Sequence, residues 1–179
     1  MTNVSEPIAE PLSGSRSAAQ SSIPTESSPM TVGWREWVGL PSFGVAHLKA
    51  KIDTGARTSA LHAFDLVEFE RDGEEWVRFS VHPWQRSDED AVPTECRVHD
   101  RRAVRSSSGH SEPRVVVLTD VRLGAEVVTA ELTLTRRDEM GFRMLVGREV
   151  LRQGFLVDSG RSYLGGRPAR AVRRRNRGR

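Results

Sequence analysis

Apolar and polar residues alternate one for one over several stretches, and this pattern most constrains the fold. Val45, Leu48, Ala50 and Ile52 are interleaved with His47, Lys49 and Lys51. Val77, Phe79 and Val81 alternate with Trp76, Arg78 and Ser80, and Ala130, Leu132 and Leu134 with Thr129, Glu131 and Thr133. Successive side chains of a strand point to opposite faces, so each stretch predicts a half-buried β-strand. Turn signals separate them: Asp72-Gly73, Leu123-Gly124, Glu139-Met140-Gly141 and Gly165-Gly166. Val115-Val116-Val117-Leu118 is continuously apolar and suits a strand buried on both faces. The one helical stretch is short, about Arg148 to Gln153, closed by Gly154. Short strands with one late helix predict a small β-barrel or sandwich.

Charge and composition divide the chain of 179 residues. Residues 1–30 hold eight Ser and four Pro with almost no bulky apolar residue, too little to offset ordering entropy, so this segment is expected to be disordered. Residues 167–179 hold seven Arg and no carboxylate, and are also expected to be a disordered tail. Any nucleic-acid contact would run through that tail. Between them, residues 31–166 carry 19 basic and 21 acidic side chains, which argues against a nucleic-acid-binding face on the folded part. Lys49 and Lys51 are the only lysines among 27 basic residues, a bias that reads as codon usage. Single Cys96 excludes an internal disulfide and an all-cysteine zinc site. No apolar run approaches the roughly 18 residues of a membrane span, and no basic-then-apolar leader opens the chain. The expectation is a cytoplasmic protein without membrane contact.

The segment bearing chemistry is Ala50-Lys51-Ile52-Asp53-Thr54-Gly55-Ala56. A strand ends, and Asp-Thr-Gly-Ala turns with the carboxylate at the strand's exit. Glycine permits the tight backbone, and its N–H can approach the carboxylate. An aspartic peptidase presents its carboxylate in this way, yet an ordinary strand-to-turn exit uses the same residues. About 90 residues later, Met144-Leu145-Val146-Gly147-Arg148-Glu149-Val150-Leu151 joins an apolar strand to a short helix through Gly-Arg.

With these two segments in this order and setting, the sequence resembles the retropepsins, small homodimeric aspartic peptidases. Val32 to Val38, Lys51 to Leu61, and Val104 to Gly109 are similar to one bacterial branch of them. Its members are often called ATP-dependent zinc proteases and are found beside ATP-grasp ligases that add glutamate to ribosomal proteins or act in lysine biosynthesis. The resemblance runs from about Thr31 to Gly165. It implies an all-β, small closed acid-protease barrel with one short C-terminal helix, in which the Gly-Arg strand and helix pack behind the Asp-Thr-Gly loop. It implies a homodimer pairing two copies of Asp53. Asp53, Thr54 and Gly55 would form the catalytic loop, Thr54 bracing it across the dimer axis. Ala56, Arg57, Arg105, Ser106 and Ser107 are candidates for substrate contact. Arg105 to Gly109 lies where a retropepsin flap would be, and a plain surface loop fits the same residues. Viral retropepsins have Asp where this chain has Arg57. That arginine suits an acidic or glutamate-tailed substrate, or pairs with Glu149 behind the loop.

Asp158-Ser159-Gly160 imitates the catalytic triplet and is expected to be a strand-end turn, since no second Gly-Arg strand follows it. No His-Glu-x-x-His occurs, and Cys96 and His99, three apart on a strand, would face opposite ways, so neither metal nor other cofactor is expected. Trp34, Trp37, Trp76 and Trp84 are read as core and rim packing, not interleaved with a basic stripe. Three functions compete: an aspartic endopeptidase, a barrel that has lost peptidase activity and acts as a binding module, and a zinc-dependent peptidase.

Overall fold

The computed structural model describes residue 1 and residues 28–85, 87, 89–105, 111–135 and 141–177. The chain enters through β1 (Met30–Gly33) and β2 (Arg35–Leu40), makes a 3₁₀ turn at Pro41–Phe43, and returns as β3 (Val45–Ile52). β4 (Ser59–His62) follows, then a meander of β5 (Phe64–Arg71), β6 (Glu74–Val81) and β7 (Val92–Arg97). A long hairpin of β8 (Asp100–Arg105) and β9 (Ser111–Leu123) leads into β10 (Glu126–Thr135) and β11 (Met144–Val146). Helix α1 (Arg148–Leu151), β12 (Phe155–Asp158) and helix α2 (Arg170–Arg175) complete the order.

Six strands run in the order β10-β4-β11-β3-β2-β9, and β9 pairs again with β10. That last pairing closes the sheet into a barrel and removes its edges. β8 extends outward from β9. Side chains from alternate positions fill the interior: Leu48, Ala50 and Ile52 of β3, Leu61 of β4, Ala130, Leu132 and Leu134 of β10, and Met144 and Val146 of β11 are all buried. The alternation of β3 slips between Val45 and Leu48 because the β2–β3 ladder shifts register there, Val38 opposing Leu48 and Leu40 opposing Val45.

β5, β6 and β7 form a separate three-stranded sheet. Val77, Phe79 and Val81 bury its inner face, as the alternation predicts. The β5–β6 turn is Asp72-Gly73, with φ of 54° and 76°, the positive pair that a tight hairpin turn requires. In β9, Val115, Val116 and Val117 are buried as expected, whereas Leu118 is 49% exposed.

β1 and β12 make a parallel two-stranded ribbon. Such a ribbon is marginal alone, and the buried carboxylate of Glu36 ties it down. Glu36 accepts hydrogen bonds from the N–H groups of Gly33 (2.6 Å), Leu164 (2.7 Å) and Gly165 (3.2 Å). A fully buried acid is tolerable because its oxygens are occupied by backbone donors.

The Arg-rich end departs from its reading as a disordered tail, and the barrel has two short helices instead of one. α2 lies there, with Asn176 buried at its end. Asn176 Oδ1 accepts the Gln85 N–H (3.3 Å), and Arg175 pairs with Asp90 (2.9 Å). These contacts bridge more than 80 residues of sequence, so local composition does not reveal them. Most of the Ser/Pro-rich segment, residues 2–27, lies outside the described residues, as do Glu139 and Met140 of one expected turn. No helix among the described residues is long and apolar enough to cross a membrane.

Candidate active site

β3 delivers Asp53 to the rim of the barrel. The Asp53 N–H continues the parallel pairing with β11 by donating to the Val146 carbonyl (2.9 Å). The chain then turns back on the carboxylate. Asp53 Oδ1 accepts the N–H groups of Gly55 (3.0 Å) and Ala56 (3.2 Å). One carboxylate oxygen is thereby held by the backbone, and the other, Oδ2, lies 3.6 Å from Lys51 Nζ. The Asp53 side chain is 28% exposed and opens onto a cleft of about 1310 Å³, whose walls include Arg57, Arg102, Arg114 and Glu131.

The loop is braced from behind by the strand and helix expected to do so. Arg148 N–H donates to the Ala56 carbonyl (2.9 Å) and Glu149 N–H to the Arg57 carbonyl (3.1 Å). These are first-turn N–H groups of α1, which have no partner inside the helix. Gly147 N–H donates to the buried Ser59 Oγ (3.0 Å). A Cβ at Gly147 would fall 2.6 Å from the Thr58 carbonyl oxygen, so only glycine lets the strand approach the loop this closely.

Thr54 and Gly55 are solvent-exposed in the single chain. Arg57 is 77% exposed, with Nε 3.6 Å from Glu149 Oε1, and Glu149 also faces Arg152 at 3.6 Å. An ion pair this open to water contributes little, and it leaves the guanidinium free to turn into the cleft. Arg105 ends β8 opposite Ser111. Ser106 and Ser107 lie outside the described residues.

Three cleft features escaped the sequence reading. Lys51 stands beside the Asp53 carboxylate, as a residue two before it along the chain can. Arg102 grips Glu131 and Asp100, and these hydrogen bonds hold both carboxyls below their ordinary range. Arg114 is buried in the wall, its Nε donating to Glu112 Oε1 (2.7 Å).

Asp158 repeats the local turn, its Oδ1 accepting Gly160 N–H (2.9 Å), but it does not line the cleft. Burial pushes the Cys96 thiol up to about 11, and His99 Nε2 sits 3.3 Å from Glu131 Oε1. Among the described residues no three of His, Cys, Asp and Glu are grouped to hold a metal ion.

The tryptophans pack at core and rim as expected, Trp37 and Trp84 buried and Trp34 and Trp76 half-buried, but they do not stand apart from cations. Arg35 lies over Trp34 (4.5 Å), Lys49 over Trp37 (5.4 Å) and Arg71 over Trp76 (4.5 Å), so three of the four rings carry a cation. Pairing of β2 with β3 sets Lys49 opposite Trp37, which spacing along the chain does not show, whereas Arg35 directly follows Trp34.

A closed barrel that presents an aspartate on an Asp-Thr-Gly loop, braced by a Gly-Arg strand and helix, defines a retropepsin-like acid-protease fold. Comparison with known proteins agrees: residues 31–168 match the family model for RimB-like proteins, described as the retropepsin-like aspartic endopeptidase RimB, and the chain belongs to that family. It is 46% identical over 132 residues to a probable alpha-L-glutamate ligase of Shewanella pealeana, covering 74% of this chain and 29% of the relative. A probable alpha-L-glutamate ligase of Desulfotalea psychrophila is 44% identical over 127 residues, covering 71% and 27%. The chain thus spans under a third of the length of these relatives. The crystal structure of Lpg0085, a protein of unknown function from Legionella pneumophila, is similar with a TM-score of 0.66 at 27% identity, covering 77% of this chain and 99% of that one.

Proposed function

We propose that the protein is an aspartic endopeptidase in which two copies of the chain each supply one Asp53. The observation that carries this reading is the Asp53 carboxylate itself, held at Oδ1 by two backbone N–H groups and open to the cleft at Oδ2. Two carboxylates brought within a few ångströms share one proton. The ionised one accepts a proton from a water, whose oxygen attacks the peptide carbonyl carbon. The protonated one donates to the carbonyl oxygen. Collapse of the tetrahedral intermediate breaks the C–N bond, and the departing nitrogen takes up a proton. Thr54 and Gly55, exposed in the single chain, are the surface that the second copy would cover.

The substrate in this reading is an acidic protein segment. Arg57 stands largely free at the cleft, and relatives matching most of this chain are named for ligation of glutamate. Hydrolysis of a glutamate-tailed peptide tests the proposal. The wild type should cleave with or without chelator, and Asp53→Asn should not. Turnover by the variant contradicts the mechanism, and loss on chelation with recovery on adding zinc favours a metallopeptidase.

A further inference from the structure

The outer face of the β2–β3 pair carries cations beyond those of the cleft. Arg35 is paired with Lys51 and Trp37 with Lys49 across the ladder. Directly opposed residues share a face, so Lys51, Lys49, Arg35 and Trp37 form one surface that begins beside Asp53. Tyr163 joins it from the far end of the chain. Arg35 lies 5.2 Å, Lys49 5.9 Å and Arg167 4.9 Å from its ring centroid.

Cations are gathered here against their mutual repulsion. Burial, then the charges of Arg35 and Arg177, hold the Lys49 ammonium below its ordinary range. Among the described residues no carboxylate lies within ion-pairing distance of Arg35, Lys49 or Arg167, whereas the arginines of β5, β6 and β8 are paired with glutamates. The backbone that presents Tyr163 is strained as well: its φ is 60°, in the left-handed region that disfavours a bulky residue. Tyr163 N–H donates to the Arg35 carbonyl (2.9 Å), and the next two N–H groups are fixed by Glu36. A strained loop tied down beside unpaired cations has the character of a binding site.

We propose that Arg35 and Lys49, continuing from Lys51, form a carboxylate-reading subsite that receives the acidic side chains of an extended peptide several residues from Asp53. Lys49 and Lys51 are about 6.6 Å apart along the strand, the same spacing as alternate side chains of an extended peptide. Lys49 stands about 13 Å from Asp53, a distance spanned by about four extended residues. A single-stranded RNA would place its phosphates on the same cations. It would also need open ring faces for its bases, and here Arg35, Lys49 and Arg167 cover them. The occupant is therefore peptide carboxylate. The inference rests on the peptidase reading only for why the peptide lies beside Asp53.

Binding to the full-length Asp53→Asn protein tests it without hydrolysis. Fluorescently labelled hexaglutamate, hexaglutamine and hexauridylate would be compared by anisotropy at low and high salt. Hexaglutamate should bind, weaken with salt, and lose about fivefold in affinity with Lys49→Gln, and more with Arg35→Gln added. Hexaglutamine should be indifferent to both changes. Lys49 makes no hydrogen bond among the described side-chain contacts, so Lys49→Gln keeps the fold even if loss of the Arg35 to Ser162 bond (3.1 Å) does not. Unchanged hexaglutamate affinity in Lys49→Gln overturns the subsite, as does preferential binding of hexauridylate. If binding depends on Lys49 while the wild type cleaves no peptide, the subsite stands and the peptidase reading falls. Cleavage of acidic peptides indifferent to Lys49 does the reverse.

Discussion

Asp53 and Asp158 end two strands in nearly the same way. Each turns into a Gly whose N–H donates to Oδ1, at 3.0 Å for Gly55 and 2.9 Å for Gly160. The local chemistry of Asp-Thr-Gly and Asp-Ser-Gly is therefore almost identical, and it does not make an active site. The surroundings differ. Behind Asp53 stand β11, Gly147 and the first turn of α1, and before it lies the cleft. Asp158 sits at the end of the β1–β12 ribbon, followed by a loop that Glu36 anchors. A carboxylate becomes a candidate catalyst through the support that fixes its loop and the space it faces.

The largest expected effect separates the two directly. Asp53→Asn should lower turnover by about 10³-fold or more, in line with loss of a general acid–base group, while Asp158→Asn should keep near wild-type rates on the same peptide. Equal losses would mean that the two turns are not distinct in role.

Next in size is Glu36, which secures the Asp158 side. Glu36→Ala strands three backbone N–H groups, each costing about 1–3 kcal/mol when buried without a partner. Denaturant unfolding should show a loss of several kcal/mol, and a near-neutral result would mean that water enters to replace the carboxylate.

Smaller again is the paired glycine test. Gly147→Ala pushes a methyl to 2.6 Å from the Thr58 carbonyl and should cost about 1–3 kcal/mol, as overpacking does. Because that methyl displaces the Asp53 loop, activity should fall with stability. Gly160→Ala meets only Asp158 Oδ1, at 3.4 Å, and should be mild in both assays.

The smallest expected effect is Arg57→Gln. Its pair with Glu149 is exposed, so stability should change by less than about 0.5 kcal/mol. Cleavage of acidic peptides should nevertheless fall more than that of neutral ones, and the gap should narrow in high salt. A clear drop in melting temperature would show instead that Arg57 holds the loop to α1.

Strands were legible where one face is buried, as in β3 of the barrel and β6 of the three-stranded sheet, because period two is then written into the residues. The Asp53 loop and its Gly147 brace were legible because each is a short contiguous segment. Contacts made across the sheet were not. Arg35 with Tyr163, Arg175 with Asp90 and Gln85 with Asn176 join residues 85 to 128 positions apart. For the same reason neither the cation over Trp37 nor the helix in the Arg-rich end shows in the sequence. Lys49 and Lys51 stood out as the only lysines, yet their common face with Arg35 follows from β2–β3 register, which spacing along the chain does not set.

The central claim is that catalysis needs one Asp53 from each of two copies, and mixing tests it most directly. Wild type and Asp53→Asn protein, combined in equal amounts and allowed to exchange, should give about a quarter of the activity of the same total concentration of wild type, since only a quarter of randomly formed pairs carry two aspartates. Activity of about one half, tracking the wild-type fraction, would contradict the shared site and make each chain its own catalyst.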